Sequence, residues 1–364
     1  MFARGISGAN QGATITYAVT VTDTNDQTPS WNTGTSTNAA EAQTTVVTLS
    51  ATDSDSADSG GLTYSIVTDD PGAGTQFSIT GAAVSFASAP NYDATNHCGA
   101  NLDSNTCTVV VRVADAASNS PSDLTITVTI TDTNDQTPVY QAADADDAFS
   151  VAENTATSSV IDNGVITDTD TGNSFTCTLG GADAGDFTCT ISGSNAQLKF
   201  AAVPNYESAA DADTNNVYIV TVLINDGVAN DANGATTLTI TVTDANDQTP
   251  TYSAGSTTPS IAEGVAAVDA NVAITDTDSG DSNTCTLGGT DAGDFSCTLT
   301  GQTAYSLAFS SAPDYDSPAD ANTDNVYAVT VTIDDGVNTG STISYTVTVT
   351  DTNDQTPAVS VAAT

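Results

Sequence analysis

Acidic side chains recur in one fixed order along this 364-residue chain. A glutamate comes first, at Glu41, Glu153 and Glu263. A D-x-D follows, at Asp53 and Asp55, Asp168 and Asp170, and Asp276 and Asp278. Next stands an acid beside a tyrosine, in PNYD, PNYE and PDYD, giving Asp93, Glu207, and Asp314 with Asp316. A further aspartate ends an apolar run, at Asp115, Asp226 and Asp335, and a D-x-N-D string closes each set. Carboxylates and amides gathered in this way offer the roughly six to eight oxygens that Ca2+ takes as ligands. Paired carboxylates also serve glycoside hydrolysis, but a catalytic pair is needed once, whereas these groups recur in every copy. Repetition favours structure over catalysis.

The elements that must position them form a repeat. DTNDQTP begins at Asp23, Asp132 and Asp351, and DANDQTP at Asp244, spaced by 109, 112 and 107 residues. A period of that length means a string of whole domains rather than a short-period solenoid. Runs such as Leu124 to Ile130 (LTITVTI), Thr237 to Asp244 and Ile343 to Asp351 alternate apolar residues with threonine, as half-buried strands do. Helical periodicity is absent, and Gly, Asn and Asp punctuate the short runs. The pattern predicts an all-β chain of tandem seven-stranded Greek-key β-sandwiches joined by linkers whose acids suit calcium binding. The expected repeats are 30–138, 139–250 and 251–357. Residues 1–29 read as the last strand and linker of a preceding repeat, and 358–364 as the first strand of a following one or of a neighbouring subunit.

Composition removes several functions. The chain carries 45 acidic residues against 3 basic ones, for a formal net charge of −42. Nucleic acid and anionic membrane surfaces both demand clustered Lys and Arg, so neither is an expected partner. No apolar run is long enough to span a membrane, and the opening MFARGISGAN lacks the apolar stretch of a signal peptide. His97 is the only histidine, so a Ser/His/Asp or Cys/His group has no second base to draw on, and no Gly-rich phosphate loop follows a strand. The chain reads as a non-enzyme.

Six cysteines fall in three close pairs, Cys98 with Cys107, Cys177 with Cys189, and Cys285 with Cys297. The last two pairs occupy matching places, so neighbouring strands would bring each within bridging distance. Three disulfides inside repeats are expected, and with them an oxidising compartment. Zinc ligation is the competing reading, but thiolate zinc sites use about four ligands at CxxC-like spacing.

The order of motifs resembles the cadherin family, whose extracellular repeats carry xEx, DxD, an LDRE-type segment, a late Asp and a DxNDNxP linker. The resemblance covers nearly the whole chain. It implies ions between successive repeats. Carried over by position, the first junction would use Glu41, Asn91, Asp93, Asp132, Asn134, Asp135, Asp168, Asp170 and Asp226. The second would use Glu153, Asn205, Glu207, Asp244, Asn246, Asp247, Asp276, Asp278 and Asp335. Partial sets stand at the ends: Asp23, Asn25, Asp26, Asp53, Asp55 and Asp115, and Glu263, Asp314, Asp316, Asp351, Asn353 and Asp354. About three Ca2+ per junction, the number the resemblance implies, would bring its seven carboxylates to a net charge of about −1. All four glutamates of the chain, Glu41, Glu153, Glu207 and Glu263, fall at these positions, which an evenly solvated acidic surface would not produce. About half of the acidity lies elsewhere and reads as a solvated, salt-tolerant face.

There are departures from the family pattern. The fifth linker residue is glutamine (Gln27, Gln136, Gln248, Gln355) where cadherins have asparagine, which is harmless if the position offers its backbone carbonyl. Asn91 and Asn205 replace the first acid of the LDRE-type segment, which Asp314 keeps. Trp31, Tyr140 and Tyr252 follow the linker prolines and read as junction packing. Together these features predict a calcium-rigidified extracellular rod, as a surface stalk, adhesin segment or filament. Its expected partners are further copies of the repeat, in the same chain or in neighbouring subunits. The alternatives are a calcium-dependent adhesion module facing a cell-surface protein, and a carbohydrate-binding array facing a glycan, although Trp31 is the only tryptophan.

Overall fold

Alternation of Val, Ile and Tyr with Thr gives each long strand one apolar face, and those faces meet in pairs of packed sheets. The computed structural model describes residues 13–55, 61–69, 76–94, 105–115, 122–280 and 282–357. It divides into two compact units: Met1–Thr137 with Asp168–Ser174 and Asp226–Ala229, and Pro138–Thr167 with Phe175–Asn225 and Asn230–Thr364.

The first unit holds one sandwich of strands β1 (Ser30–Trp31), β2 (Ser36–Ala40), β3 (Thr45–Thr48), β4 (Ala51–Thr52), β5 (Thr63–Asp69), β6 (Phe77–Thr80), β7 (Ala83–Phe86), β8 (Thr106–Ala114) and β9 (Ser122–Thr131). One sheet runs β2-β9-β8-β5 and the facing one β3-β7-β6, with β1 paired to β4. Every second residue of β8, Cys107, Val109, Val111 and Val113, is fully buried, and Val84, Phe77 and Phe86 lie in the same core.

The second unit holds two sandwiches of one pattern. The first comprises β10 (Val139–Gln141), β11 (Ala148–Ala152), β12 (Asp162–Thr167), β13 (Thr176–Gly180), β14 (Phe187–Ser192), β15 (Asn195–Phe200), β16 (Val217–Asn225) and β17 (Thr236–Thr243). The other comprises β18 (Thr251–Tyr252), β19 (Ser260–Ala262), β20 (Ala267–Thr275), β21 (Thr284–Gly288), β22 (Phe295–Thr300), β23 (Ala304–Phe309), β24 (Val326–Asp334) and β25 (Ile343–Thr350). Their sheets run β10-β12-β15-β14 and β11-β17-β16-β13, and β18-β20-β23-β22 and β19-β25-β24-β21. Each core centres on two stacked phenylalanines met edge-on by a tyrosine: Phe187, Phe200 and Tyr218 in one, Phe295, Phe309 and Tyr327 in the other.

The expected first strand is two strands. β10 pairs antiparallel with β12 in one sheet, and β11 pairs parallel with β17 in the other. The chain changes sheets between them through a turn in which Asp147 takes φ 54°. One strand of the seven-stranded plan thus serves both layers, which makes eight segments.

Disulfides join β13 to β14 (Cys177 to Cys189, Cα atoms 6.1 Å apart) and β21 to β22 (Cys285 to Cys297, 6.2 Å). Each bond ties the edge of one sheet to the edge of the other and closes the side of the sandwich. Cys107 is buried and disulfide-bonded, while Cys98, its expected partner, lies outside the described residues, as do His97 and residues 358–364. The strand-like run 13–22 joins no sheet, and Ile15, Tyr17, Val19 and Val21 are 71 to 90 % exposed. A strand pattern becomes a strand only against a partner's N–H and C=O groups. No helix among the described residues is long and apolar enough to cross a membrane.

Candidate metal centres

Strand register gathers the acids. β2 pairs parallel with β9 so that Ala40 stands opposite Thr131, and the Glu41 N–H continues the ladder to the Thr131 carbonyl at 3.1 Å. The next residue of the chain after Thr131 is Asp132, so the first glutamate and the linker leave the sheet side by side. The same pairing holds Glu153 beside the end of β17 (3.0 Å to Thr243) and Glu263 beside the end of β25 (3.1 Å to Thr350). The D-x-D acids follow the ends of β4, β12 and β20, and the late aspartates follow β8, β16 and β24.

Each early glutamate is buried and bound at both oxygens. Glu41 accepts the Tyr92 N–H at 2.6 Å and the Thr133 N–H at 2.8 Å. Glu153 accepts Tyr206 and Ala245 N–H groups, both at 2.8 Å, and Glu263 accepts those of Tyr315 (2.8 Å) and Thr352 (2.6 Å). These backbone donors hold the Glu263 carboxyl below the usual glutamate range. One side chain therefore ties the tyrosine loop to the linker.

In the first unit, ligand-capable oxygens of Glu41, Asp93 and Asp132 lie within 4.8 Å of one another, as do those of Asp93, Asp135 and Asp170, and of Asp168, Asp170 and Asp226. The carboxylates share a pattern. Asp132 binds the Thr171 N–H through Oδ2 (2.5 Å), Asp168 the Asp170 N–H through Oδ1 (3.1 Å), and Asp170 the Gln136 N–H through Oδ2 (2.8 Å). Asp226 binds the Val228 and Ala229 N–H groups through Oδ1. The other oxygen of each, Oδ1 of Asp132 and Asp170 and Oδ2 of Asp168 and Asp226, is buried without a hydrogen-bond partner, and so are Oδ2 of Asp93 and Oδ1 of Asn134. Buried oxygens left without donors cost free energy unless a cation meets them. Burial, followed by the neighbouring charges of Asp170, Glu41, Asp132 and Asp135, raises the Asp93 pKa, and burial with Asp168 and Asp132 raises that of Asp170.

The second unit repeats the arrangement. Glu153, Glu207 and Asp247 form one group, and Glu207, Asp244 and Asp278 another. Asp244, Asp276, Asp278 and Asp335 each bind backbone N–H groups through one oxygen, at 2.6 to 3.3 Å, and keep the other buried and unpartnered. Both Oε atoms of Glu207 are buried without a partner. Burial first, then the charges of Glu153, Asp247 and Asp278, pushes its pKa up to about 7. An all-oxygen, multiply charged donor set fits a hard divalent cation, with the many oxygens and flexible geometry of Ca2+ rather than the tight octahedron of Mg2+.

The side-chain oxygens of Asn91, Asn205 and Asp314 accept backbone N–H groups two or three residues on, fixing the turn that presents the acid after the tyrosine. At the first partial set, Asp55 accepts the N–H groups of Asp26 and Gln27 and is buried with Asp115, while Asp23 and Asp26 are exposed and Asn25 half-buried. Asp53 keeps one buried oxygen unpartnered. At the last, Asp316, Asp351, Asn353 and Asp354 are exposed.

The aromatic residues after the linkers face the sandwich that follows rather than a seam. Tyr140 is buried in a core, with its hydroxyl donating to the fully buried Asp162. The Tyr252 hydroxyl accepts the Ile333 N–H at 2.9 Å, and Trp31 packs on Tyr64 and donates to the Ser122 carbonyl. Asn173, which carries no motif, donates to the Asp170 carbonyl and keeps a buried Oδ1 unpartnered. The linker glutamines, expected to offer only a backbone carbonyl, donate their side-chain amides to the aspartates before them.

No family model matches the chain, and no curated protein matches it. Solved structures do. Protocadherin gammaB7 EC3-6, solved as a cis-dimer, superposes with a TM-score of 0.55 at 19 % identity, covering 93 % of this chain and 77 % of that one. PcdhgB3 EC1-4 gives 0.56 at 19 % identity, over 90 and 77 %. The human desmocollin-1 ectodomain gives 0.51 at 19 % identity, and this chain spans 64 % of it. The sandwiches have the cadherin-like repeat fold.

Proposed function

We propose that the chain is an extracellular structural array whose cadherin-like repeats, at 30–138, 139–250 and 251–357, are clamped at their seams by Ca2+. The observation that carries this reading is the set of buried, unpartnered carboxylate oxygens at both linkers, most of them on aspartates whose other oxygen is fixed by backbone N–H groups. Glu41, Asp93, Asp132, Asn134, Asp135, Asp168, Asp170 and Asp226 would hold the ions of the first seam. Glu153, Glu207, Asp244, Asp247, Asp276, Asp278 and Asp335 would hold those of the second, with Asn246 placed beside them by its position in the linker. Bound Ca2+ would cancel the mutual repulsion of these acids and restrain a linker that otherwise bends. The role is mechanical, as a stalk or filament segment. Disulfides within the sandwiches support an oxidising compartment.

Titration calorimetry with CaCl2 and small-angle scattering in CaCl2 and in EGTA test the proposal. Saturable binding and a longer, stiffer particle in calcium are expected, and equal dimensions in both buffers would refute the stiffening. Adhesion is the second reading, favoured by the fold it shares with protocadherin and desmocollin ectodomains. Coated beads that aggregate only in calcium would select it over a passive spacer.

A further inference from the structure

The two complete linkers are nearly identical in sequence but are held by different neighbours. In both, the linker glutamine donates to Oδ1 of the aspartate before it, Gln136 to Asp135 at 2.8 Å and Gln248 to Asp247 at 2.6 Å. In both, the asparagine amide reaches the carbonyl of the late aspartate, Asn134 to Asp226 at 3.1 Å and Asn246 to Asp335 at 3.3 Å. The second linker receives three further side-chain bonds. Asn154 Nδ2 donates to Oδ2 of Asp247 at 2.5 Å. Asn338 Nδ2 donates to the Gln248 carbonyl at 2.8 Å and to Oδ1 of Asn246 at 3.2 Å.

The matching positions at the first linker are Ala42 and Ala229, whose side chains have no donor. Local backbone does not explain the asparagines. Ala42 and Asn154 share a left-handed conformation, φ 55° and 60°, and both donate their N–H to a proline carbonyl at 2.9 Å. Ala229 and Asn338 both donate their N–H to the late aspartate, at 2.7 and 2.6 Å. The two amides are additions to an otherwise conserved geometry within the chain. With them, Asp247 is held through both carboxylate oxygens, and Asn246 through both ends of its amide.

We propose that Asn154 and Asn338 are positioning residues that fix the second linker in its ligand-presenting conformation before any metal arrives, so that the two seams differ in their dependence on Ca2+. Prearrangement lowers the conformational cost of binding, while the same amides already occupy Oδ1 of Asn246 and Oδ2 of Asp247, so the two seams fill at different Ca2+ concentrations. That last consequence rests on the calcium reading above; the difference between the metal-free linkers does not.

Hydrogen exchange read by mass spectrometry on the whole chain separates them. The proteins compared are the wild type, N154G/N338A, and A42N/A229N, in EGTA and in millimolar CaCl2. Gly264 and Ala229 already stand at the first variant's two positions in other repeats, so it introduces nothing foreign to the fold. In EGTA the 244–250 peptide of the wild type is expected to exchange about tenfold more slowly than the 132–138 peptide. N154G/N338A removes that difference while peptides from β16 and β24 keep their protection, and A42N/A229N slows the first linker. Equal exchange of the two wild-type linkers in EGTA, or a difference that survives N154G/N338A, overturns the proposal. Failure of CaCl2 to slow either linker would instead sink the calcium reading and leave the EGTA comparison standing.

Discussion

Replacing Glu207 by glutamine should stabilise the calcium-free protein while weakening its hold on calcium. Both oxygens of Glu207 are buried without donors among Glu153, Asp247 and Asp278, and its pKa is pushed up to about 7 from an ordinary 4.5. At pH 8 the folded, metal-free chain must ionise a group that resists ionising. A displacement of that size corresponds to roughly 3 kcal/mol, reduced to about 1 to 2 kcal/mol where water screens the site. Glu207→Gln keeps the shape and removes the charge, so the melting temperature in EGTA at pH 8 should rise by about 4 °C or more. In calcium the same change deletes a carboxylate shared by two acidic groups, and affinity at that seam should fall by about tenfold or more. Calorimetric melts in EGTA and in CaCl2, with calcium titrations of both proteins, measure the two signs. A variant less stable than the wild type in EGTA, or one that binds calcium equally well, would refute the reasoning.

Without calcium, stability should also rise as the pH is lowered from 8 through about 7 toward the ordinary carboxylate range. Raised folded-state pKa values at Glu207, Asp93, Asp170 and Asp278 mean that the folded chain takes up protons before the unfolded chain does. Saturating calcium should flatten that slope, and calcium affinity should improve with rising pH over the same window; melts at several pH values decide it. Tyr140→Phe leaves the fully buried Asp162 without its hydroxyl donor and should cost about 2 to 3 kcal/mol in urea unfolding, with no change in calcium binding. Cys177→Ala with Cys189→Ala should cost about 2 to 4 kcal/mol of stability, read by denaturant melts under non-reducing conditions.

The sequence by itself determined the strand pattern, the repeat period and the identity of the acids. Threonine alternating with Val, Ile and Tyr shows which side of a strand is dry, because the period of two is local. Four nearly identical linkers in register with the other acidic motifs announce a repeated site without reference to any contact. The cysteine spacing likewise showed two pairs in matching strands, which the structure joins.

Tertiary structure decided which oxygens are available and which are spent. Glu41 and Asp132 are 91 positions apart, and only the parallel pairing of β2 with β9 sets them side by side. Asn91 and Asn205 stand in the ligand order of the sequence, and only the fold shows that their oxygens accept the N–H groups of a turn. Run 13–22 has the same alternation as β9, yet forms no ladder, because a strand is a relation between two segments rather than a property of one. Asn154 and Asn338 carry no motif at all and matter only because the fold aims their amides at the second linker. Residue type sets what a side chain can donate or accept, and this is written locally. What it meets depends on register, burial and close approach over long separations, which the folded chain alone supplies.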